Sequence, residues 1–123
     1  SLSTAHASFK SRTYITPLEN QLKQLHLEIS NSLEQKHSIA RCAKQLNISE
    51  SYFQLIYKRL FGVSFQQDLI LMRVTRARFN LSTSNLSLSQ IAEFCGYNNE
   101  VHFYRQFKKL TGVTPAQYRK HPF

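Results

Sequence analysis

Two stretches of this 123-residue chain repeat one another, and the repeat limits the folds that the chain can adopt. At an offset of 50 positions, six residues recur in kind: Phe53, Tyr57, Lys58, Leu60, Gly62 and Val63 are followed by Phe103, Phe107, Lys108, Leu110, Gly112 and Val113. Upstream the offset is 49, and the matched pairs are Cys42 with Ile91, Ala43 with Ala92, Leu46 with Cys95 and Asn47 with Gly96. The second copy therefore holds one extra residue. We predict two copies of one small folding unit.

Helix-start signals recur along the chain, and no stretch alternates apolar and polar residues for long enough to predict a strand. A hydroxyl residue precedes Glu or Gln by three positions, as in a capping box, at Thr16, Ser64, Ser87 and Thr114. Ser49 and Asn98 are simpler candidate caps. The first predicted helix carries one apolar face, formed by Leu18, Leu22, Leu25, Ile29 and Leu33. The three glycines fall where helical periodicity stops. The sequence predicts an all-α protein of about seven helices.

Each copy has a short helix, a turn of three to four residues and a longer helix, which is the layout of a helix-turn-helix. Ala43 and Ala92 are small where the two helices are expected to cross closely. Asn47 and Gly96 occupy the turn, and both residue types tolerate the left-handed conformation that such a turn needs.

A long helix is predicted between the two copies, over residues 65–83, with one apolar stripe formed by Ile70, Val74, Ala77 and Leu81. Its 19 residues span about 28 Å, close to the roughly 34 Å between successive major grooves on one face of duplex DNA. We therefore divide the chain into a linker or tail (1–15), a first helix-turn-helix subdomain (16–63), a connecting helix (64–83) and a second subdomain (84–123).

Charge indicates the kind of partner. Sixteen Lys and Arg against seven Asp and Glu give a net charge of +9, which favours a polyanion. The longest apolar run, 69–72, is far shorter than the roughly 18 residues of a membrane helix, so we expect no membrane partner. Cys42 and Cys95 are expected to be core residues in a reducing compartment, and the histidines lack metal-ligand spacing. No metal and no cofactor are predicted.

The apolar stripe of each longer helix identifies the face that turns toward a partner. In the first copy we assign Tyr52, Phe53, Ile56, Tyr57 and Leu60 to the buried face, which leaves Ser51, Gln54, Leu55 and Lys58 outward. In the second copy we assign Phe103, Phe107 and Leu110 to the buried face, with His102 packed beside them, which leaves Glu100, Val101, Tyr104, Arg105 and Lys108 outward. Gln54 suits adenine, Arg105 suits guanine, and Glu100 can accept from cytosine.

A second set of polar residues is expected to meet phosphates, and these contacts set register and salt dependence: Arg41, Lys44, Ser49, Lys58, Arg59, Asn99, Lys108 and Lys109. Cations near a helix C-terminus also stabilise the helix dipole, which is the structural alternative for the lysines. Arg73, on the connecting helix, is interpreted as a structural ion-pair partner.

These residues resemble the DNA-binding domain of the AraC/XylS transcriptional regulators, over about residues 17–120. The motifs that carry the resemblance in the second copy are Ile91-Ala92, Cys95-Gly96-Tyr97, His102-Phe103, Phe107-Lys108-Lys109, Thr111-Gly112-Val113-Thr114-Pro115 and Tyr118-Arg119. The first copy and the connecting helix agree at Ala43, Leu46, Ser49, Tyr52-Phe53, Tyr57-Lys58, Gly62, Arg73 and Ala77.

The resemblance implies a homeodomain-like fold of two helix-turn-helix subdomains that enter adjacent major grooves of bacterial promoter DNA. Carried over by position, the base-reading residues are Ser51, Gln54, Leu55, Glu100, Val101, Tyr104 and Arg105. Two positions depart from the family pattern. His102 stands where Tyr is usual, and Leu55 stands where a polar or basic reader is common, which favours contact with a thymine methyl.

The resemblance also implies RNA polymerase as a further partner, a cytoplasmic, nucleoid-associated location, and an effector or dimerisation domain outside these 123 residues. Activation or repression, the operator and the effector stay open. A basic helical module that binds an acidic protein is the alternative function. An enzyme is not expected: some regulators fuse this domain to a DNA-repair methyltransferase with a reactive cysteine, but Cys42 and Cys95 have no adjacent base.

Overall fold

The computed structural model describes residues 16–123, and within that range the chain is all-α, as the sequence predicts. The described residues form seven helices: α1 (Pro17–Ser30), α2 (Ile39–Leu46), α3 (Glu50–Phe61), α4 (Phe65–Thr83), α5 (Leu88–Phe94), α6 (Glu100–Thr111) and α7 (Pro115–Lys120). The predicted tail, residues 1–15, lies outside the described residues.

Side-chain caps fix where the helices begin. Thr16, Ser64, Ser87 and Thr114 each accept a hydrogen bond from the backbone N–H three residues on, and Ser87 and Thr114 complete capping boxes with Gln90 and Gln117. Ser49 caps α3 in the same way. The predicted cap Asn98 is wrong: the cap of α6 is Asn99, whose Oδ1 accepts from the N–H of His102 at 2.7 Å. Because Asn98 and Asn99 are adjacent and identical in type, the sequence alone does not show which of them is the cap.

Two groups of buried side chains lie along α4. The first core combines residues of α1, the loop after it, α2 and α3 with the start of α4: Leu22, Leu25, Ile29, Leu33, Cys42, Ala43, Phe53, Tyr57, Phe65 and Leu69. The second core combines the rest of α4 with α5, α6 and α7: Val74, Ala77, Leu81, Ile91, Ala92, Cys95, Tyr97, Phe103, Phe107 and Tyr118. Of the predicted stripe on α4, only Ile70 is less than fully buried.

The start of α4 corresponds in position to α7, and its end corresponds to α1. At its start, Phe65 follows Tyr57 of α3 in the order in which Pro115 of α7 follows Phe107 of α6, at the offset of 50. At its end, α4 buries residues with the same spacing as those of α1: Val74, Ala77 and Leu81 correspond to Leu22, Leu25 and Ile29. Helix α4 is therefore both the last helix of the first core and the first helix of the second.

Helix α1 is shorter than its apolar stripe predicts. It ends at Ser30, and Leu33 lies in the turn that follows, although its side chain is buried in the first core. The carbonyl groups at this helix end are held by α4. The Arg76 Nη2 donates to the Ser30 carbonyl oxygen at 2.9 Å, and the Arg73 Nη2 donates to the carbonyl oxygens of Leu33 and Gln35 at 3.4 and 3.2 Å.

The prediction that Arg73 forms an ion pair is therefore wrong. Its partners within residues 16–123 are backbone carbonyl groups, which satisfy a guanidinium without a carboxylate. Burial lowers the pKa of this guanidinium. Sequence alone could not identify such partners, because every residue has a backbone carbonyl group and the sequence does not show which of them lie near Arg73 without another hydrogen-bond donor.

Candidate nucleic-acid interface

The turns of both helix-turn-helix motifs pass through the left-handed backbone region. Asn47 has φ 59° and Gly96 has φ 89°, and Asn47 is the only residue other than glycine with positive φ among residues 16–123. Past each turn the chain bonds back to the preceding helix: Ile48 N–H donates to the Ala43 carbonyl at 3.0 Å, and Tyr97 N–H donates to the Ala92 carbonyl at 2.9 Å. The predicted role of both turn residues is confirmed, and each turn aims the longer helix that follows it.

Helix α3 is held by aromatic packing on its inner face. The side chains of Phe53 and Tyr57 are fully buried, and both rings stand edge-on to Phe65 with centroids 5.4 Å apart. Tyr52 does not join this face, contrary to the prediction, and is 45% exposed. Successive residues of an α-helix are rotated by about 100° around its axis. Tyr52 therefore lies at the edge of the apolar stripe, whose centre is Phe53.

The outer face of α3 carries the predicted first reading set. Its three members, Ser51, Gln54 and Leu55, are all exposed, as are Lys58 and Arg59, which were predicted to contact phosphates. Leu55 is 51% exposed, so its apolar surface is open to a partner.

Helix α6 is also held by aromatic packing, together with a polar contact from the preceding turn. Phe103 and Phe107 are fully buried with their rings edge-on, and the Tyr97 hydroxyl donates to Gln106 Oε1 at 2.6 Å. His102 corresponds to Tyr52 and is likewise exposed, rather than packed as predicted, although its ring stands edge-on to Tyr97. Leu110 was predicted to be buried and is 37% exposed, because it lies in the last turn of α6, past the packed aromatic residues.

The outer face of α6 carries the predicted second reading set. Glu100, Val101, Tyr104 and Arg105 are all exposed, with Val101 at 59% and Tyr104 at 43%. Within residues 16–123, neither Glu100 nor Arg105 forms an ion pair. Both charges are therefore available to polar groups of a partner.

A shallow depression of about 340 Å³ lies beside each reading set. Neither depression was predicted from the sequence. The first is lined by Ile39, Gln54, Leu55, Lys58, Ser64, Phe65 and Gln66. The second is lined by Leu88, Glu100, Val101, Phe103, Tyr104, Arg105 and Pro115. The two linings share several matched positions of the repeat. Extending the offset of 50 past Val63 would have shown that the start of the next helix, α4 or α7, forms one wall of each reading surface.

The predicted phosphate-contacting side chains are all exposed: Arg41, Lys44, Ser49, Lys58, Arg59, Asn99, Lys108 and Lys109. Two of them already cap helices. Ser49 Oγ accepts from the Tyr52 N–H at 3.1 Å, which leaves its hydroxyl proton free to donate. Asn99 Oδ1 is engaged likewise, which leaves its Nδ2 amide to donate. Both lie at helix N-termini, where an anion is favoured.

Both cysteines are buried and unbridged, in agreement with the prediction. Burial raises the pKa of each thiol to about 11, which keeps the thiols protonated and unreactive. Across residues 16–123, no group of three or more His, Cys, Asp or Glu side chains is arranged to hold a metal ion. In the same range, no helix combines the length and apolar character needed to cross a membrane.

Comparison with known proteins places this surface in context. A family model described as a helix-turn-helix domain matches residues 42–121. The transcriptional activator RhaR of Salmonella schwarzengrund is 30% identical over 104 residues, which are 85% of this chain and 37% of RhaR. The chain spans between 12% and 37% of the length of the curated relatives that it matches.

Solved structures agree in fold. The C-terminal domain of the two-component response regulator yesN from Fusobacterium nucleatum is 30% identical with a TM-score of 0.77, and the match covers 81% of this chain and 98% of that domain. The DNA-binding domain of the transcription factor AdpA, solved in complex with a target DNA, is 27% identical with a TM-score of 0.75, and the match covers 85% of this chain and 90% of that domain.

Proposed function

Because the chain belongs to the AraC/XylS family of helix-turn-helix transcription regulators, we propose that it reads duplex DNA with both motifs, with α3 and α6 in successive major grooves. The observation that carries the proposal is the matched exposure of the outer faces of α3 and α6, each aimed by a left-handed turn. The family and fold are those of DNA-binding regulators. The net charge of +9 suits a polyanionic duplex.

In the first groove, Ser51, Gln54 and Leu55 are the proposed readers. Gln54 has an amide that can pair with adenine N6 and N7, and Ser51 can donate to or accept from a base edge. Leu55 offers only apolar surface, and a thymine methyl is the base-edge group that fits it. We expect the first box to be rich in A·T pairs.

In the second groove, Glu100, Val101, Tyr104 and Arg105 are the proposed readers. The guanidinium of Arg105 can bind guanine O6 and N7 together, and Glu100 can accept from cytosine N4. Carboxylates are repelled by phosphates, so Glu100 favours the groove floor over the backbone. We expect at least one G·C pair in the second box.

The proposed phosphate contacts flank both reading faces. Lys58, Arg59, Lys108 and Lys109 lie in the last turns of α3 and α6, and Arg41 and Lys44 lie on α2. Ser49 and Asn99 present donors at the N-termini of α3 and α6, where the helix dipole favours a phosphate. These contacts fix the register of each helix in its groove and carry no base preference.

The remaining assignments concern the whole protein. We propose the boundaries 16–63, 64–83 and 84–123 for the two subdomains and the connecting helix, and a linker role for 1–15. By analogy with the family, we also propose a further effector or dimerisation domain, contact with RNA polymerase and a cytoplasmic, nucleoid-associated location. The relative RhaR is named as an activator, so transcription from a promoter with the selected site should rise. We propose binding and no catalysis, because both thiols are buried and protonated.

Selection from a random duplex library tests this function. We expect two short boxes about one helical turn apart. Gln54→Ala should lose preference in one box and Arg105→Ala in the other, each by roughly 5- to 150-fold, as for a bidentate pair worth about 1–3 kcal/mol.

Gln24→Ala and Lys23→Ala, on the exposed side of α1, are controls that remove the same amide and the same unit of positive charge away from the reading faces. A single enriched box would mean that one motif alone reads sequence. Salt-steep binding without any enriched site would reject base reading and leave a generic basic surface. Little salt-steep affinity for DNA and no site preference would instead favour the basic helical module that binds an acidic protein.

A further inference from the structure

The turn of the second helix-turn-helix lies directly against the first half of the molecule. A Cβ added at Gly96 would stand 2.0 Å from the carbonyl oxygen of Leu33, and 2.9 and 3.0 Å from Nη2 and Nε of Arg73. Backbone oxygen cannot withdraw as a flexible side-chain end can. Gly96 is therefore required here for close approach as well as for its φ of 89°.

The contact involves three parts of the chain that are distant in sequence. The loop after α1, residues 31–35, supplies the Leu33 and Gln35 carbonyl groups, α4 supplies Arg73, and the turn before α6 supplies Gly96. Arg76 adds a bond from α4 to the Ser30 carbonyl. We call this set of contacts the clasp.

The clasp spans the division between the two cores. Leu33 packs in the first core, whereas Cys95 and Tyr97, which flank Gly96, pack in the second. Arg73 lies on α4 between Leu69, the last fully buried residue of the first core, and Val74, the first of the second. Its Nε is buried and has no hydrogen-bond partner within residues 16–123, and the guanidinium lies between the two halves, against Gly96 and the Leu33 carbonyl group.

We infer that Gly96 and the two arginines of the clasp, Arg73 and Arg76, are positioning residues that fix the angle between α3 and α6 and thereby the base-pair spacing that the protein accepts between its two boxes. This inference rests on the proposed reading of DNA by both motifs. Helix α4, with 19 residues, spans about 28 Å, less than the roughly 34 Å between major grooves. The angle between the halves therefore decides which spacing allows both helices to enter.

The chain offers a matched control for substitution at Gly96. Gly62 and Gly112 have φ of 76° and 82°, and a Cβ added at either would meet nothing within 4 Å. Gly62→Ala and Gly112→Ala thus impose the same backbone strain as Gly96→Ala without the collision. The difference between Gly96→Ala and these two controls isolates the clasp.

The binding test uses DNA with both selected boxes at the preferred spacing, with one base pair inserted or removed, and DNA with one box alone. Wild type and both controls should prefer one spacing. Gly96→Ala should bind the preferred two-box DNA at least about tenfold more weakly, since simultaneous binding is lost when the geometry does not match. Its affinity for DNA with the first box alone, which α3 is proposed to read, should stay within about twofold, because Gly96 lies outside the first motif.

A second measurement needs no DNA. Spin labels at Gln45→Cys on α2 and Glu93→Cys on α5, both exposed positions, report the distance between the halves, because the native thiols are buried. We expect a narrow distance distribution in the wild type and both controls, and a shifted or broadened one in Gly96→Ala. Arg76→Ala removes one bond of the clasp at a partly exposed site and should broaden the distribution even if Gly96→Ala does not fold.

The outcomes separate the two proposals. A wild type that selects no paired boxes would defeat the reading of DNA by both motifs, while the label distances would still test the clasp. Unchanged distances in folded Gly96→Ala and Arg76→Ala, or an unchanged spacing preference in Gly96→Ala, would overturn the inference.

Discussion

Three matched positions hold each recognition helix in place, and the two halves of the molecule fill them with different chemistry. In the first half, Tyr57 of α3 donates its hydroxyl to Asp68 Oδ2 at 2.5 Å, and His26 Nε2 of α1 approaches the same oxygen at 3.3 Å. In the second half, at the matched positions, Phe107 packs edge-on against Tyr118, whose hydroxyl accepts from Arg78 Nε at 3.2 Å.

The difference shows which part of the motif is required by the fold and which is not. An aromatic ring at position 57 or 107 fills the core in both halves. The polar group that faces the ring is the Asp68 carboxylate in the first half and the Tyr118 phenol in the second. The third group is the His26 imidazole on α1 in the first half and the Arg78 guanidinium on α4 in the second. The buried aromatic ring is therefore repeated in the two halves, while the charges of the groups around it are not. The following experiments test this distinction.

The largest effect is expected from Phe107→Ala, which removes a fully buried ring from the second core. Such a deletion costs about 3–5 kcal/mol of unfolding free energy. Since α4 contributes to both cores, the first half should unfold together with the second. Thermal unfolding followed by circular dichroism and by amide signals of α3 should give one shared transition. A melt in two steps, with α3 intact after the first, would contradict the shared helix.

An effect that is smaller for each residue is expected from pH, and it should be equal in the two halves. Each core buries one thiol with its pKa raised to about 11 from an ordinary value of 9.0. The folded-state pKa is the higher one, so this contribution is complete below pH 9 and is lost as pH rises toward 11. The loss is about 1.4 kcal/mol per pH unit for each thiol.

Denaturant titrations between pH 8 and about 11 measure this slope. Cys42→Ala and Cys95→Ala should each flatten it by the same amount, and the double variant by twice as much. If the double variant kept the wild-type slope, the thiols would have no part in it.

A still smaller effect separates the halves by charge. Tyr57→Phe gives the first half the ring of the second and removes a hydroxyl that donates to a carboxylate, which should cost about 1–2 kcal/mol. Burial and the bond to Asp68 together raise the pKa of Tyr57. The matched variant Tyr118→Phe removes bonds to Arg78 and to the carbonyl group of the exposed terminal residue Phe123 and should cost less. Urea unfolding compares the two, and equal losses would mean that the carboxylate adds nothing.

The smallest effect is expected from the matched lysines. Lys58→Ala and Lys108→Ala should each reduce the slope of log affinity against log salt concentration by about 0.9, without changing box preference. Fluorescence anisotropy at several salt concentrations measures both slopes. A change in only one variant would show that one motif lacks its phosphate contact.

Much of the fold could be predicted from the sequence, because helix caps, apolar spacing and the repeat are local signals. Ser49 and Gly112 mark helix ends whatever surrounds them. The outer faces of α3 and α6 followed from the same periodicity. Tyr52 and Leu110 were misplaced because the edge of a stripe and the last turn of a helix depend on which neighbours cover them. The partners of Arg73 and the close approach at Gly96 could not be predicted, since they join residues that are distant in sequence.

The bonds of Arg73, Arg76 and Arg119 have a consequence for ionic strength. All three guanidinium groups donate to backbone carbonyl oxygens, with Arg119 closing the end of α4 through Leu81 and Ser84. Within residues 16–123, the one contact at ion-pair distance joins His26 to Asp68, and it is an ion pair only when the imidazole is protonated. Salt screens attraction between charges far more than it weakens partly buried bonds to neutral groups. Added salt should therefore release the DNA while the protein stays folded, so that one solution variable separates binding from stability.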